Sequence, residues 1–446
     1  MNASGRTAAS AGTTLAERFD AVRKQSEALC APLANEDFGV QPMADASPPK
    51  WHLAHTSWFF ETFILREMLP GYRAFDPQFE YLFNSYYNGV GAQFPRERRG
   101  TLSRPTVAQV YDYRAHVNAG MQALLDQAEL TPELRQRLVL GLHHEQQHQE
   151  LMLTDLKYAF GHNPLLPRYC ASSPIVANPV ALQFLPVAGG VVEAGALATE
   201  AFCFDNELPR HEVLLRPFAL ANRCVTNGEF AEFIADGGYQ RAELWLASAW
   251  ARVNEAGWQA PLYWQQTDDV WSVYRLDGLH PMDPAQPVMH VSAYEADAFA
   301  RWSGKRLPTE FEWEIAATGP LVANDQPRGN FVDSLRFHSA AASPDDAIQV
   351  TEPSAVSAST QSQEPQLLQM FGDVWEWTQS SYGPYPGYQP LAGTLGEYNG
   401  KFMSEQLVLR GGSCFTPADH VRPSYRNFFY PPDRWQASGI RLASDA

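Results

Sequence analysis

The chain has 446 residues, 45% of them apolar and 12% aromatic, more than one ordinary core needs, and two or three domains are expected. A formal net charge of −17 argues against nucleic acid as a partner, because phosphate binding needs a basic face, and no apolar run reaches the ~20 residues of a membrane helix. The five cysteines (Cys30, Cys170, Cys203, Cys224, Cys414) are odd in number and scattered without CxxC spacing, so reduced thiols in a cytoplasmic setting are expected.

Residues 1–13 are small and polar, lack the apolar stretch of a secretory signal, and read as a disordered tail. Leu15 to Leu33 has helical apolar spacing. Pro48 and Pro49 lead into WHLAHTSWFFETFILREML, a second helix with proline at its start. After the aromatic loop FEYLFNSYYNGVGAQFPRERRG, Thr106 caps a third helix, and Thr131-Pro132-Glu133 opens a fourth that runs through LVLGLHHEQQHQELMLTDLKYAF. Residues 14–160 therefore read as a four-helix bundle, an architecture whose core often holds metals. Proline-rich 161–182 reads as a linker, and 183–446 as a β-rich domain of short runs among Gly, Pro and Trp. Two helices are expected there, over Ser292–Ser303 and Glu310–Ala317, with a low-complexity excursion around 339–366.

The sharpest local signal is His144-Glu145-Gln146-Gln147-His148. On a helix, positions i and i+4 share a face, so two imidazoles can bind one metal, and neutral imidazole suits Fe, Zn, Cu or Ni. The bland alternative is a solvated helix rich in Gln and His. His143 falls off that face. HEQQH also fits the HExxH helix of zinc hydrolases, in which the Glu is a general base. That reading needs a further ligand downstream, yet Glu150 is on the wrong face and no HxxGxxH extension follows. A better third ligand lies upstream in Trp51-His52-Leu53-Ala54-His55, where spacing alone allows either His52 or His55.

WHLAH and HEQQH, followed in order by FDNELPRHEVLL, CVTNGEF, GKRLPTEFEWE, GDVWEWTQSSY, LRGGSCF, RPSYRNFFYP and ASGIRLA, resemble the sulfoxide synthases of ergothioneine and ovothiol biosynthesis and the related selenoneine synthases. The resemblance spans essentially the whole chain after the tail. It implies an α+β protein: a DinB-type four-helix bundle, then a C-type-lectin-like domain similar to formylglycine-generating enzymes. It also implies a non-haem iron(II) enzyme that uses O2 to join a thiol donor to the imidazole of hercynine (trimethylhistidine). By this resemblance the iron ligands are His55, His144 and His148. Gln147 contacts hercynine, Asn427 lies near its carboxylate end, and Arg96 helps hold the carboxylate of the sulfur donor.

Two departures bear on the donor. Members that use γ-glutamylcysteine carry an acidic residue and a downstream arginine just after the RN pair, where this chain has Phe429 and Asp433. NSYYNGVG is similar to a branch that accepts free cysteine and places paired tyrosines in the site, so Tyr86 or Tyr87 is the expected proton donor. Cysteine is the expected donor. A selenosugar, as in selenoneine synthases, is the alternative, since such enzymes share the histidines and the hercynine site. An ovothiol synthase, which usually carries an appended methyltransferase domain, fits less well. A formylglycine generator relies on a cysteine pair near the GGS segment, where Cys414 stands alone, so the Trp- and Gly-rich motifs are expected to hold a scaffold. A zinc hydrolase and a metal-free binding module are the readings from other classes. The sequence leaves the oligomeric state open.

Overall fold

In the computed structural model, which describes residues 14–127, 130–171, 180–198, 202–318, 327–343 and 366–446, Thr14 opens α1 (Leu15–Cys30) with a reciprocal capping box to Glu17. The helix stops short of Leu33 because Pro32 has no N–H to donate to the preceding turn. Pro49 starts α2 (Pro49–Phe60), whose residues are nearly all buried. The expected single helix through WHLAHTSWFFETFILREML is interrupted. A π-helical turn, Glu61–Leu65, separates α2 from the short α3 (Arg66–Met68). The buried Glu61 carboxylate there accepts from Tyr72 Oη at 2.7 Å, Tyr113 Oη at 2.9 Å and the Phe75 amide at 3.1 Å. Side-chain periodicity carries no mark of such a turn. After α4 (Phe79–Phe83), Thr106 caps α5 (Val107–Leu125) through a capping box with Gln109, and α6 runs over Pro132–Gly161.

The chain divides into two compact units, Met1–Leu156 and Lys157–Ala446. Among the described residues the second unit has four small sheets. β1 (Phe184–Val187), β4 (Phe218–Ala221) and β12 (Ala443–Asp445) form one, and β2 (Gly190–Ala194) pairs with β3 (His211–Leu215). β5 (Trp264–Thr267), β6 (Val270–Arg275) and β7 (Gly278–Pro281) make an antiparallel meander. The fourth has the order β10 (Asn427–Phe429), β9 (Leu407–Arg410), β8 (Trp375–Ser381), β11 (Ser438–Gly439). Two of this unit's helices, α9 (Ala293–Trp302) and α10 (Glu310–Thr318), match the expected spans. Two others, α7 (Asn227–Ala235) and α8 (Ala247–Ala256), were not expected, although Thr226-Asn-Gly-Glu229 carries the capping-box spacing that starts α7.

The sequence motifs of this unit meet as buried ion pairs. Glu310 of GKRLPTEFEWE accepts from Arg410 at 2.9 Å and from Arg426 at 2.8 Å. Glu376 of GDVWEW accepts from Arg441 at 2.6 Å and from Trp313 Nε1 at 2.6 Å. Gly411 of the GGS segment has φ +98, and a Cβ there would sit 2.7 Å from the Met370 carbonyl oxygen. The motifs thus hold the scaffold together. No disulfide joins any of the five cysteines, Cys414 included. The expected tail (1–13) and most of the low-complexity excursion (344–365) lie outside the described residues. Among the described residues no helix is long and apolar enough to cross a membrane.

Candidate metal centre

α2 and α6 bring His55, His144 and His148 together, with one nitrogen of each within 4.8 Å of the others, the one such group of His, Cys, Asp and Glu among the described residues. His55 donates from Nδ1 to the Phe83 carbonyl at 2.6 Å, which leaves a lone pair on Nε2. That Nε2 lies 3.2 Å from Nε2 of His144. Two nitrogens each about 2.1 Å from a shared ion stand about 3.0–3.4 Å apart for bond angles between a right angle and tetrahedral, so the spacing fits a metal. Burial pushes the His144 imidazolium down to about 3, and burial with the neighbouring imidazoles drives His55 and His148 well below the usual range. All three are neutral at neutral pH, the state in which imidazole binds metal. The donor set therefore fits a divalent ion of intermediate softness, with coordination positions left for other ligands.

Helical spacing also builds the walls. Trp51, His55 and Trp58 lie four and three residues apart on one face of α2, and both indoles stack on the His55 ring, at 4.5 and 5.4 Å between centroids. Phe59 stacks on His144 at 4.5 Å. Tyr87 is fully buried and packs on Trp58 at 5.6 Å and Phe63 at 5.0 Å, one ring removed from the clustered imidazoles. Tyr86 is only partly buried, with its ring 5.0 Å from that of Tyr87.

Glu145 points away from any base role. Its carboxylate accepts from Arg23 at 2.9 Å, from Arg114 at 3.1 Å and from Ser26 Oγ at 2.6 Å, all buried. Burial raises its pKa, but the two guanidinium groups and the hydroxyl outweigh that and hold it below the usual carboxylate range. A base committed to two arginines cannot activate water, which removes the hydrolase reading's central residue. His143 lies off the cluster and accepts from Arg18 at 3.1 Å. His52, the other histidine that spacing allowed, stands behind the cluster, with Nδ1 2.9 Å from Nδ1 of His148 and Nε2 3.1 Å from Asp155 Oδ2.

The remaining expected residues are distributed unevenly. Gln147 is half-buried on α6 next to His148. Arg96 is exposed and its guanidinium donates to the Asp45 carbonyl. Arg99, three residues on, was not singled out from the sequence, and it is the buried one. Its guanidinium carbon lies 3.4 Å from the centre of the Trp51 ring and its nitrogens donate to Ser47 Oγ at 2.9 Å and Ser85 Oγ at 3.1 Å. It makes no ion pair with a carboxylate among the described residues. The spacing in FPRERR carries no signal for it, since positions i and i+3 of this 3-10 turn share a face; the Trp51 ring and the hydroxyls of Ser47 and Ser85 are what receive Arg99. Asn427 and Phe429 belong to the second unit. Asn427 Oδ1 caps the Phe428 amide at 2.9 Å, and Phe429 lies edge-on to Trp435 at 6.1 Å.

The DinB superfamily model matches residues 18–152, and the sulfatase-modifying factor enzyme 1-like domain matches residues 176–446. The hercynine oxygenase of Mycolicibacterium thermoresistibile is 34% identical over 411 residues, covering 90% of this chain and 87% of that protein. The hercynine oxygenase of Mycobacterium tuberculosis is 34% identical over 416 residues, covering 90% of this chain and 91% of that protein. The formylglycine-generating enzyme of Streptomyces coelicolor is 31% identical over 287 residues, covering 58% of this chain and 88% of that protein. With both domains matched in this order and relatives alike over 90% of its length, the chain belongs to the hercynine oxygenase family and is an oxidoreductase.

Proposed function

We propose that the protein is a non-haem iron(II) enzyme that uses O2 to join the imidazole C2 of hercynine to a thiol, with cysteine as the donor and a sulfoxide as the product. The observation that carries the reading is the convergence of three neutral imidazoles, His55 and His144 buried and His148 half-buried, in a chain of this family. The reaction balances with one O2: a C–H and an S–H bond break, a C–S bond forms, one oxygen atom ends on sulfur and the other leaves as water. Iron(II) held by His55, His144 and His148 would supply the redox chemistry that couples O2 to the two organic substrates.

The chain's own residues divide the remaining work. The trimethylammonium group of hercynine has no N–H to donate and is drawn to aromatic faces, so an aromatic-walled site suits it. Gln147, next to a ligand, and Asn427 are assigned to orient hercynine. Among the described residues the buried Arg99 guanidinium is bonded only to serine hydroxyls, and a donor carboxylate would complete it; Arg96 is assigned beside it. Tyr87 is the proton donor favoured by packing, with the Tyr86 ring packed beside it. Burial pushes the Tyr86 phenol up, so it stays protonated at working pH.

The test is metal analysis of anaerobically prepared protein, followed by turnover with hercynine, O2 and a panel of cysteine, γ-glutamylcysteine and a selenosugar. Iron-dependent consumption of hercynine with cysteine supports the assignment. Preference for the selenosugar would move the protein to the selenoneine branch, and activity with zinc alone would overturn the oxidative reading.

A further inference from the structure

Behind the three imidazoles, a chain of hydrogen bonds ties α2 and α6 together, and resting on the metal site proposed above, we infer that His52 and Asp155 are positioning residues that hold His148 in the tautomer able to bind a metal ion. Asp155 lies two turns beyond His148 on α6, and His52 lies one turn before His55 on α2, so each ligand-bearing helix contributes one member. His52 is 4% exposed and Asp155 4% exposed, which keeps water from competing for these bonds.

The proton positions follow from the partners. The carboxylate of Asp155 can only accept, and its Oδ2 receives the Ser47 amide at 2.8 Å and His52 Nε2 at 3.1 Å. His52 therefore carries its proton on Nε2, and its Nδ1 is an acceptor. That Nδ1 is 2.9 Å from Nδ1 of His148, so the proton between them belongs to His148. The Nε2 of His148 then keeps its lone pair for the cluster. His55 reaches the same state through the Phe83 carbonyl, a fixed acceptor. His148 depends on a conditional one, because His52 accepts only while Asp155 holds the proton on its far nitrogen. Without the carboxylate, the His52 proton can move to Nδ1 and push the His148 proton onto its ligating atom. Outer partners of this kind, when removed, weaken metal affinity by about 10–100-fold.

A role confined to packing against Trp51 would predict something different: lost stability with unchanged affinity for whatever folds. Full-length protein, freed of metal and titrated anaerobically with Fe(II), reads the affinity, and Co(II) gives visible absorption bands that report the ligand field. His52→Leu and Asp155→Leu, each of which removes the acceptor outright, are expected to bind Fe(II) roughly 10–100-fold more weakly and to shift the Co(II) bands. In His52→Asn the amide oxygen stands near the former Nδ1 and can accept from His148, so this variant is expected to recover most of the affinity. Melting temperatures of the metal-free variants check folding. If His52→Leu fails to fold, Asp155→Leu decides the matter alone. Wild-type affinity in Asp155→Leu, or a His52→Asn variant as weak as His52→Leu, overturns the inference. A wild-type protein that binds no Fe(II) overturns the metal-site reading instead.

Discussion

Replacing Glu145 by Gln separates a structural carboxylate from a catalytic one. In wild type the carboxylate is fully buried and shared by Arg23 and Arg114, which are 1% and 0% exposed. The amide is close in size and can still accept from Ser26, but it leaves two guanidinium groups in the interior with no buried anion between them. Removing one partner of a buried ion pair costs about 3–5 kcal/mol. The lower half of that range applies, because Arg23 still donates to Asn118 and Ser57, each at 2.7 Å, and Arg114 still donates to the Leu53 carbonyl at 3.1 Å. For a unit of this size about 3 kcal/mol corresponds to a drop in melting temperature of roughly 6–12 °C. The assay is calorimetric melting of metal-free Glu145→Gln against wild type. Replacing all three charges together, as Arg23→Leu, Arg114→Met and Glu145→Leu, should restore much of the loss, since the cost lies in the unpaired charge. A Glu145→Gln protein that melts within about 2 °C of wild type would refute the ionic account of this helix.

Other expected outcomes follow from the same geometry. His148→Ala or His144→Ala should abolish iron retention and turnover together, read by metal analysis after desalting, because two imidazoles hold Fe(II) weakly. γ-Glutamylcysteine should be a poor donor, since Phe429 and Asp433 offer its extra amino-acid head no matching charge and Asp433 already accepts from the Tyr430 amide at 3.1 Å; equal kcat/KM for it and cysteine would sink this. Tyr87→Phe should keep iron and hercynine affinity but send more O2 into simple thiol oxidation, measured as coupled product per O2 consumed, and unchanged partitioning would make Tyr87 a packing residue. In the second unit, burial pushes Lys157 down to about 8. The unfolded chain then holds the extra proton between about pH 8 and 10.4, so stability should rise with pH across that window, and Lys157→Met should flatten the rise.

The helical unit was legible because its signals are local. Thr14-x-x-Glu17 and Thr106-x-x-Gln109 cap their helices, and Pro49 starts α2, each through bonds made within one turn. The π-turn at Glu61–Leu65 was not, since it is fixed by Tyr72, Phe75 and Tyr113, residues 11, 14 and 52 positions away. α7 was missed for another reason: its cap, Thr226 to Glu229, is visible, but its short apolar run sits among glycines and aromatics that read as β-rich. The candidate site divides along the same line. Period 3.6 places His144 and His148 on one face without any further information. Choosing His55 over His52 required the resemblance, because both face the same neighbours on α2.

The motif HExxH shows why a spacing rule underdetermines chemistry. It guarantees two imidazoles one turn apart with a carboxylate between them on a different face. Whether that carboxylate serves water or an ion pair depends on what other helices place opposite it. Here Arg23 and Ser26 come from α1, 122 and 119 residues earlier, and Arg114 comes from α5, 31 residues earlier. No local pattern in HEQQH encodes those partners. The same logic runs in reverse for His52: alone it is an alternative ligand, and only the placement of Asp155, 103 residues later, turns it into a support for one. Ligand identity in this fold is therefore a property of which nitrogen is already committed. His55 commits Nδ1 to a carbonyl and His52 commits Nε2 to a carboxylate, and His52 Nδ1 lies opposite Nδ1 of His148. Two of the histidines assigned as ligands, His55 and His148, have their other nitrogen on a partner that takes its proton, while His52, given an acceptor on one side and a donor on the other, has no nitrogen left to give a metal.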